Sequence, residues 1–131
     1  MKSIYFIAVI LTLSSCAGRR TMHSEKREWI SAFKNTVIIS AVEQQDKKMS
    51  KDISTAINFD LIGNTRYYKI ADSIGKKFRN AIEPSIVLDF NGAKAIFNSA
   101  LDYYTSKELN SLSEMYYKQY YKEKYYYPSG S

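Results

Sequence analysis

Nucleophilic and metal chemistry lean on cysteine and histidine, and this chain of 131 residues has one of each. Cys16 and His23 both precede the first long amphipathic segment, so neither can pair with a partner inside a folded domain. Metal-ligand spacings of cysteine and histidine are absent, as is any glycine-rich phosphate loop, so neither a metal site nor a cofactor is expected. The carboxylates Asp60, Asp72, Glu83, Asp89 and Asp102 are isolated in sequence and read as solvated or capping residues. A pair of them converging from separate segments is the sole catalytic alternative, and it would need a constellation that the spacing does not show. The inventory points to a protein that binds rather than one that catalyses.

The chemistry that Cys16 can do follows from what precedes it. Lys2 gives a positive start, and Ile4 to Leu13 form an apolar run broken only by Thr12. Ten residues suit a signal-peptide core and are too few to span a bilayer as a helix. Leu13-Ser14-Ser15-Cys16 resembles the lipobox cut by lipoprotein signal peptidase. There small residues let an extended chain enter the protease, and the thiol takes a thioether-linked diacylglyceride. Residues 1–15 are thus expected to be a lipoprotein signal peptide, with Cys16 lipidated and residues 16–24 a flexible tether to the membrane. The competing reading is an ordinary cleaved signal with an incidental cysteine. No aspartate follows Cys16, which by known sorting rules favours the outer membrane, facing the periplasm. With a single cysteine, no internal disulfide can form.

Removing residues 1–15 leaves 116 residues, enough for one small domain with a genuine core. The remaining 18 basic side chains outnumber the 13 acidic ones. In an exported protein such a balance suits an acidic protein partner or an anionic envelope surface; no basic patch lies on a recognisable nucleic-acid fold, so nucleic acid is not an expected partner.

Helical periodicity dominates what must position any binding surface. From Ser24, a candidate N-cap, the residues Trp29, Ile30, Phe33, Val37 and Ala41 share one face. Val37-Ile38-Ile39 alone would suit a strand, but the length and the Trp29–Phe33–Val37 spacing favour a helix. A second stripe uses Ile53, Ala56, Ile57 and Leu61, and Gly63-Asn64 breaks it. A third uses Tyr67, Ile70, Ala71, Ile74 and Phe78, ending near Asn80. A fourth uses Ala93, Ile96, Phe97, Ala100, Leu101 and Tyr104. Thr105 then reads as an N-cap with Glu108 closing a capping box, and Leu109, Leu112, Tyr116 and Tyr120 form a fifth stripe. The prediction is an all-α fold, a compact bundle of about five helices over residues 25–124, with a disordered tail at 125–131. Between the third and fourth helices, Ser85 to Phe90 is apolar without helical period, bracketed by Glu83-Pro84 and the turn signal Asn91-Gly92. A short strand, a helical turn and an exposed binding loop all fit it.

Tyrosine is the compositional extreme, with seven of its twelve copies between Tyr116 and Tyr127, interleaved with Lys118, Lys122 and Lys124. Packing of Tyr116 and Tyr120 on the core, with the rest covering the flanks, explains most of the pattern. A contact surface is the alternative, since tyrosine is enriched at interfaces.

The stretch from Gly92 to Leu109 resembles the C-terminal part of the type VI secretion amidase immunity proteins. Their helix ending in Cys-Leu-Asp-x-Tyr, a small-residue turn and Ser-x-Glu-Leu are matched by Leu101-Asp102-Tyr103-Tyr104 and Ser106-Lys107-Glu108-Leu109. Phe33-Lys34-Asn35-Thr36-Val37-Ile38 is similar to the family's first helix, and Lys76-Lys77-Phe78 to its third. Where family members usually carry a disulfide between the first helix and the position before Leu-Asp, this chain has Ala41 and Ala100. The resemblance implies that these helices pack closely there without the bridge, which forgoes a few kcal/mol of stabilisation. It further implies a periplasmic inhibitor, acting as a homodimer, that inserts a loop into the groove of a papain-like cell-wall amidase. The segment Ile82 to Asn91 is the expected inhibitory surface, with Ile82, Glu83, Ser85, Asp89, Phe90 and Asn91 as contacts; Ile86, Val87 and Leu88 fit a core equally well. The alternative function is a structural or scaffolding envelope lipoprotein that binds wall or a partner protein through its Tyr/Lys-rich C-terminal helix.

Overall fold

The β-branched run at Val37-Ile38-Ile39 is helical, and the helix that contains it organises the whole molecule. The computed structural model describes the backbone of residues 2–43, 53–86 and 92–127, and the side chains from residue 22 onward within those ranges. Five helices and no strands are found there: α1 (Lys2–Val42), α2 (Ser54–Ile62), α3 (Thr65–Ala81), α4 (Ile96–Thr105) and α5 (Lys107–Tyr126). The fold is compact and all-α, as the periodicity predicts. Among the described residues no helix is long and apolar enough to cross a membrane.

All four later helices pack against α1. Tyr67 of α3 meets Trp29, and Gly75 meets Val37 and Ser40, so α3 runs parallel to α1. Tyr120 meets Trp29 while Asn110 meets Lys34, so α5 runs antiparallel to it. The core is the Trp29–Phe33–Val37 face of α1 closed by Tyr67, Ala71, Ile62, Leu109, Tyr117 and Tyr120. Trp29 stacks on Phe33 and Tyr120 at 5.3 and 5.2 Å between ring centroids and meets Tyr67 and Tyr117 edge-on. Its indole N–H donates to the Ile62 carbonyl at 3.1 Å, satisfying an acceptor that the end of α2 leaves open.

Helix α1 begins earlier than expected. It runs unbroken through residues 16–24, where the sequence pattern suggests a flexible tether, and Ser24 is not a cap: its hydroxyl donates to Glu28 one turn on. No proline interrupts this stretch, and its other residues accept helical geometry, so the ladder simply continues upstream. At the other terminus α5 reaches Tyr126, two residues into the expected tail.

Helix junctions follow local chemistry. Gly63 takes φ +62° at the C-cap of α2, and the Asn64 side chain accepts from the Arg66 N–H to start α3. The N-cap of α5 is Ser106 rather than Thr105: the Ser106 hydroxyl accepts from the Leu109 N–H at 3.1 Å, while Thr105 closes α4 and donates back to the Asp102 carbonyl. Glu108 accepts from the Tyr103 hydroxyl instead of closing a capping box.

Candidate functional site

Two segments must be fixed before a loop between them can be presented, and here both roots are tightly held. Gly75 lets α3 approach α1 so closely that a Cβ would lie 2.1 Å from the Val37 carbonyl oxygen. One turn on, Phe78 lies flat on Tyr103 of α4, with centroids 4.2 Å apart and planes within 7°. Burial first, then the charge of Glu108, push the Tyr103 hydroxyl up to about 12, so it stays a neutral donor.

Residues 82–86 and 92–95, which follow α3 and precede α4, are not helical. The Ser85 N–H donates to the Ala93 carbonyl at 2.7 Å, and the Gly92 N–H donates to the Ser85 carbonyl at 3.3 Å. These two bonds hold the described ends of the connection side by side. Gly92 makes the turn possible with φ +80°, a conformation that costs an L side chain and costs glycine nothing. Ile86, directly beyond the neck, is 95% exposed.

The expected contacts are placed as follows. Glu83 is exposed, while Ile82 and Ser85 are half-buried at the neck. Asp89, Phe90 and Asn91 lie outside the described residues, as do Val87 and Leu88. The side chain of Cys16 lies outside them too; its backbone belongs to α1. Ala41 and Ala100 are both fully buried, on helices α1 and α4 that pack against each other. Among the described residues no cluster of histidine, cysteine or carboxylates could hold a metal ion.

Several surface residues are hidden from a reading of spacing because their helices are rotated from the expected face. On α4 the buried side chains are Ile96, Ala100 and Tyr103, which leaves Phe97 at 63% and Leu101 at 52% exposure. On α2 the buried pair is Asn58 and Ile62, so the predicted stripe of Ile53, Ala56, Ile57 and Leu61 faces outward. The Trp29–Ile62 hydrogen bond fixes that rotation. Ile57 and Leu101 then line a shallow groove of about 480 Å³ with Ile38, Ile39 and Tyr104. On α5, Tyr117 enters the core with Tyr120, while Tyr116 and Leu112 are only half-buried. At the edge of α4, Lys34 lies 4.2 Å over the Tyr104 ring and donates to Asn110; burial lowers its pKa.

The arrangement offers exposed apolar side chains on a packed helical frame. Ile86 on the loop, Phe97 and Leu101 on α4 and Ile57 on α2 are what a binding partner would meet. Compared with protein-family models, curated proteins and solved structures, the chain matches none.

Proposed function

We propose that this protein is an envelope inhibitor that blocks a papain-like peptidoglycan amidase delivered by type VI secretion. In this reading the 82–95 loop enters the enzyme's groove, and lipid on Cys16 holds the inhibitor at the outer membrane, facing the periplasm. The observation that carries the proposal is the neck of the 82–95 connection: two backbone bonds join Ser85 to Ala93 and to Gly92, and Ile86 beyond them stands in solvent. Pinning the two ends of a segment together lowers the entropy it has left to lose on binding, and an exposed branched side chain gains by filling an apolar cleft. Inhibition by occlusion needs no chemistry from the inhibitor, which agrees with a surface built for contact. The similarity of residues 92–109 to the amidase immunity proteins supplies the partner class, and Ala41 and Ala100 stand where that family has its disulfide. A homodimer belongs to the same implication.

The test is to replace residues 86–91 with a glycine–serine linker while keeping Ser85, Gly92 and Ala93. Against a papain-like amidase encoded beside the gene, neutralisation and binding should be lost while helical circular dichroism is retained. Protection that survives the replacement would remove the loop from the inhibitory surface.

A further inference from the structure

The antiparallel course of α5 brings its tyrosine-rich end to a definite place. Lys124 donates to Glu25 at 2.7 Å, and the Tyr125 hydroxyl lies 3.4 Å from both carboxylate oxygens of the same residue. Tyr117, Tyr121 and Tyr125 form a ladder of rings along α5, and Tyr117 and Tyr121 line a hollow with Met22, His23 and Lys26 of α1. Beyond that ladder Tyr126 and Tyr127 are 70% and 74% exposed. Tyr125 is accounted for by Tyr121 and Glu25, but among the described residues no packing explains Tyr126 and Tyr127.

The same end carries the segment that leads to Cys16. Helix α1 continues upstream from Glu25, and nine residues of helix, about 14 Å, separate Glu25 from Cys16. In residues 17–28 and 118–127 together, seven basic side chains stand against three acidic ones. Exposed tyrosines among lysines, on the side of the molecule from which the apolar leader extends, match the chemistry of a bilayer interface. There tyrosine sits at headgroup level with its hydroxyl in water, and basic residues near an anionic surface are drawn to it.

We propose that the C-terminal end of α5 is a seat for the anionic phospholipid surface, with Tyr126 and Tyr127 among the headgroups and Lys122, one turn back, against their phosphates. The domain leans on the bilayer through this end instead of standing away from it on the α1 stem. Because α3 runs parallel to α1, the loop after α3 then points away from the membrane. This inference rests on the reading that the chain is held to a membrane at its N-terminal end.

The test uses the full protein, purified from bacterial membranes into nanodiscs of phosphatidylethanolamine and phosphatidylglycerol. A polarity-sensitive fluorophore is placed on Tyr126→Cys or, at the opposite end of α5, on Lys107→Cys. Both positions are exposed, so neither change disturbs the core. Brominated lipid should quench the label at position 126 several-fold more than the label at 107, and omitting phosphatidylglycerol should reduce that difference. Equal quenching in a chain whose mass shows lipid on Cys16 overturns the seat and leaves lipidation standing. Where the lipid mass is absent, Cys16→Ser is added so that the label sits at position 126 alone; strong quenching there keeps the seat and removes lipidation. A chain that does not stay with the membrane overturns both.

Discussion

The two ends of this bundle are built on opposite principles. Around Trp29 the helices are held apart by large rings: Phe33, Tyr67, Tyr117 and Tyr120 pack on the indole and exclude water from it. Around Gly75 the helices are drawn together by small residues: Ser40, Ala41 and Ala71 are buried there, and backbone nearly touches backbone. Ring packing removes much apolar area from water and gives α1, α3 and α5 one rigid joint. Close backbone approach leaves little volume between α1 and α3 themselves, and the large rings at that end, Phe78 and Tyr103, stack beside the contact. Ile86, Phe97 and Leu101 stay outside, where a partner can reach them. The N-terminal end is the rigid joint and the loop end the exposed one.

The contrast is broken most directly at the ring-packed end. Trp29→Ala removes the ring on which four others pack, together with the hydrogen bond to Ile62. A loss of about 3–5 kcal/mol is expected, enough to unfold a domain of this size or nearly so. Urea titration followed by circular dichroism measures it; a midpoint within error of the parent protein would show that the rings are not the joint.

Gly75→Ala acts at the other end. The added methyl collides with the Val37 carbonyl, so α1 and α3 must separate, at a cost of roughly 1–3 kcal/mol by analogy with overpacked cores. The loss should be smaller than for Trp29→Ala, and partner binding should weaken with it because the loop is rooted on α3. A variant of parental stability would mean that the close approach is not needed.

Alkaline pH probes both ends together, and more gently. Tyr67 is pushed up to about 12 by burial and then by the Glu123 carboxylate, and Tyr103 to about 12 by burial and then by Glu108. An unfolded tyrosine ionises near pH ~10, so above that the unfolded chain releases protons that the fold retains. Both groups therefore give their full contribution below about pH 10 and lose it as pH rises toward 12. Lys124, raised by its bond to Glu25, adds to the same decline. Urea midpoints taken between roughly pH 8 and 11 should fall for the parent protein and fall less for Tyr103→Phe. Identical slopes would exclude Tyr103 as a source.

Much of this was legible from periodicity alone. Helix number, the Trp29–Phe33–Val37–Ala41 face, the Tyr67–Ala71 face and the break at Gly63-Asn64 all follow from spacing and from what glycine and asparagine do at helix ends. The described part of the expected segment, residues 82–86, is non-helical, because Pro84 disfavours helical geometry at Glu83, and Gly92 takes the turn conformation expected of it. What spacing could not decide is rotation. In α4, apolar residues come in adjacent pairs at 96–97, 100–101 and 103–104, so two faces 100° apart are equally apolar. The tyrosine pairs of α5 pose the same ambiguity, and it put Tyr116 in the core where Tyr117 stands.

By itself, then, the sequence determined that the chain is helical, how many helices it forms, and the break at Gly63-Asn64. Those properties depend on residues a few positions apart, within reach of local backbone sterics and side-chain chemistry. Only the tertiary structure decided that Ile57, Phe97 and Leu101 face outward and that the tyrosines of α5 lie beside Glu25 at the N-terminal end. These outcomes are set by neighbours far away in the chain: the Ile62 carbonyl claimed by Trp29, the space closed by Gly75, and the parallel course of α3 along α1.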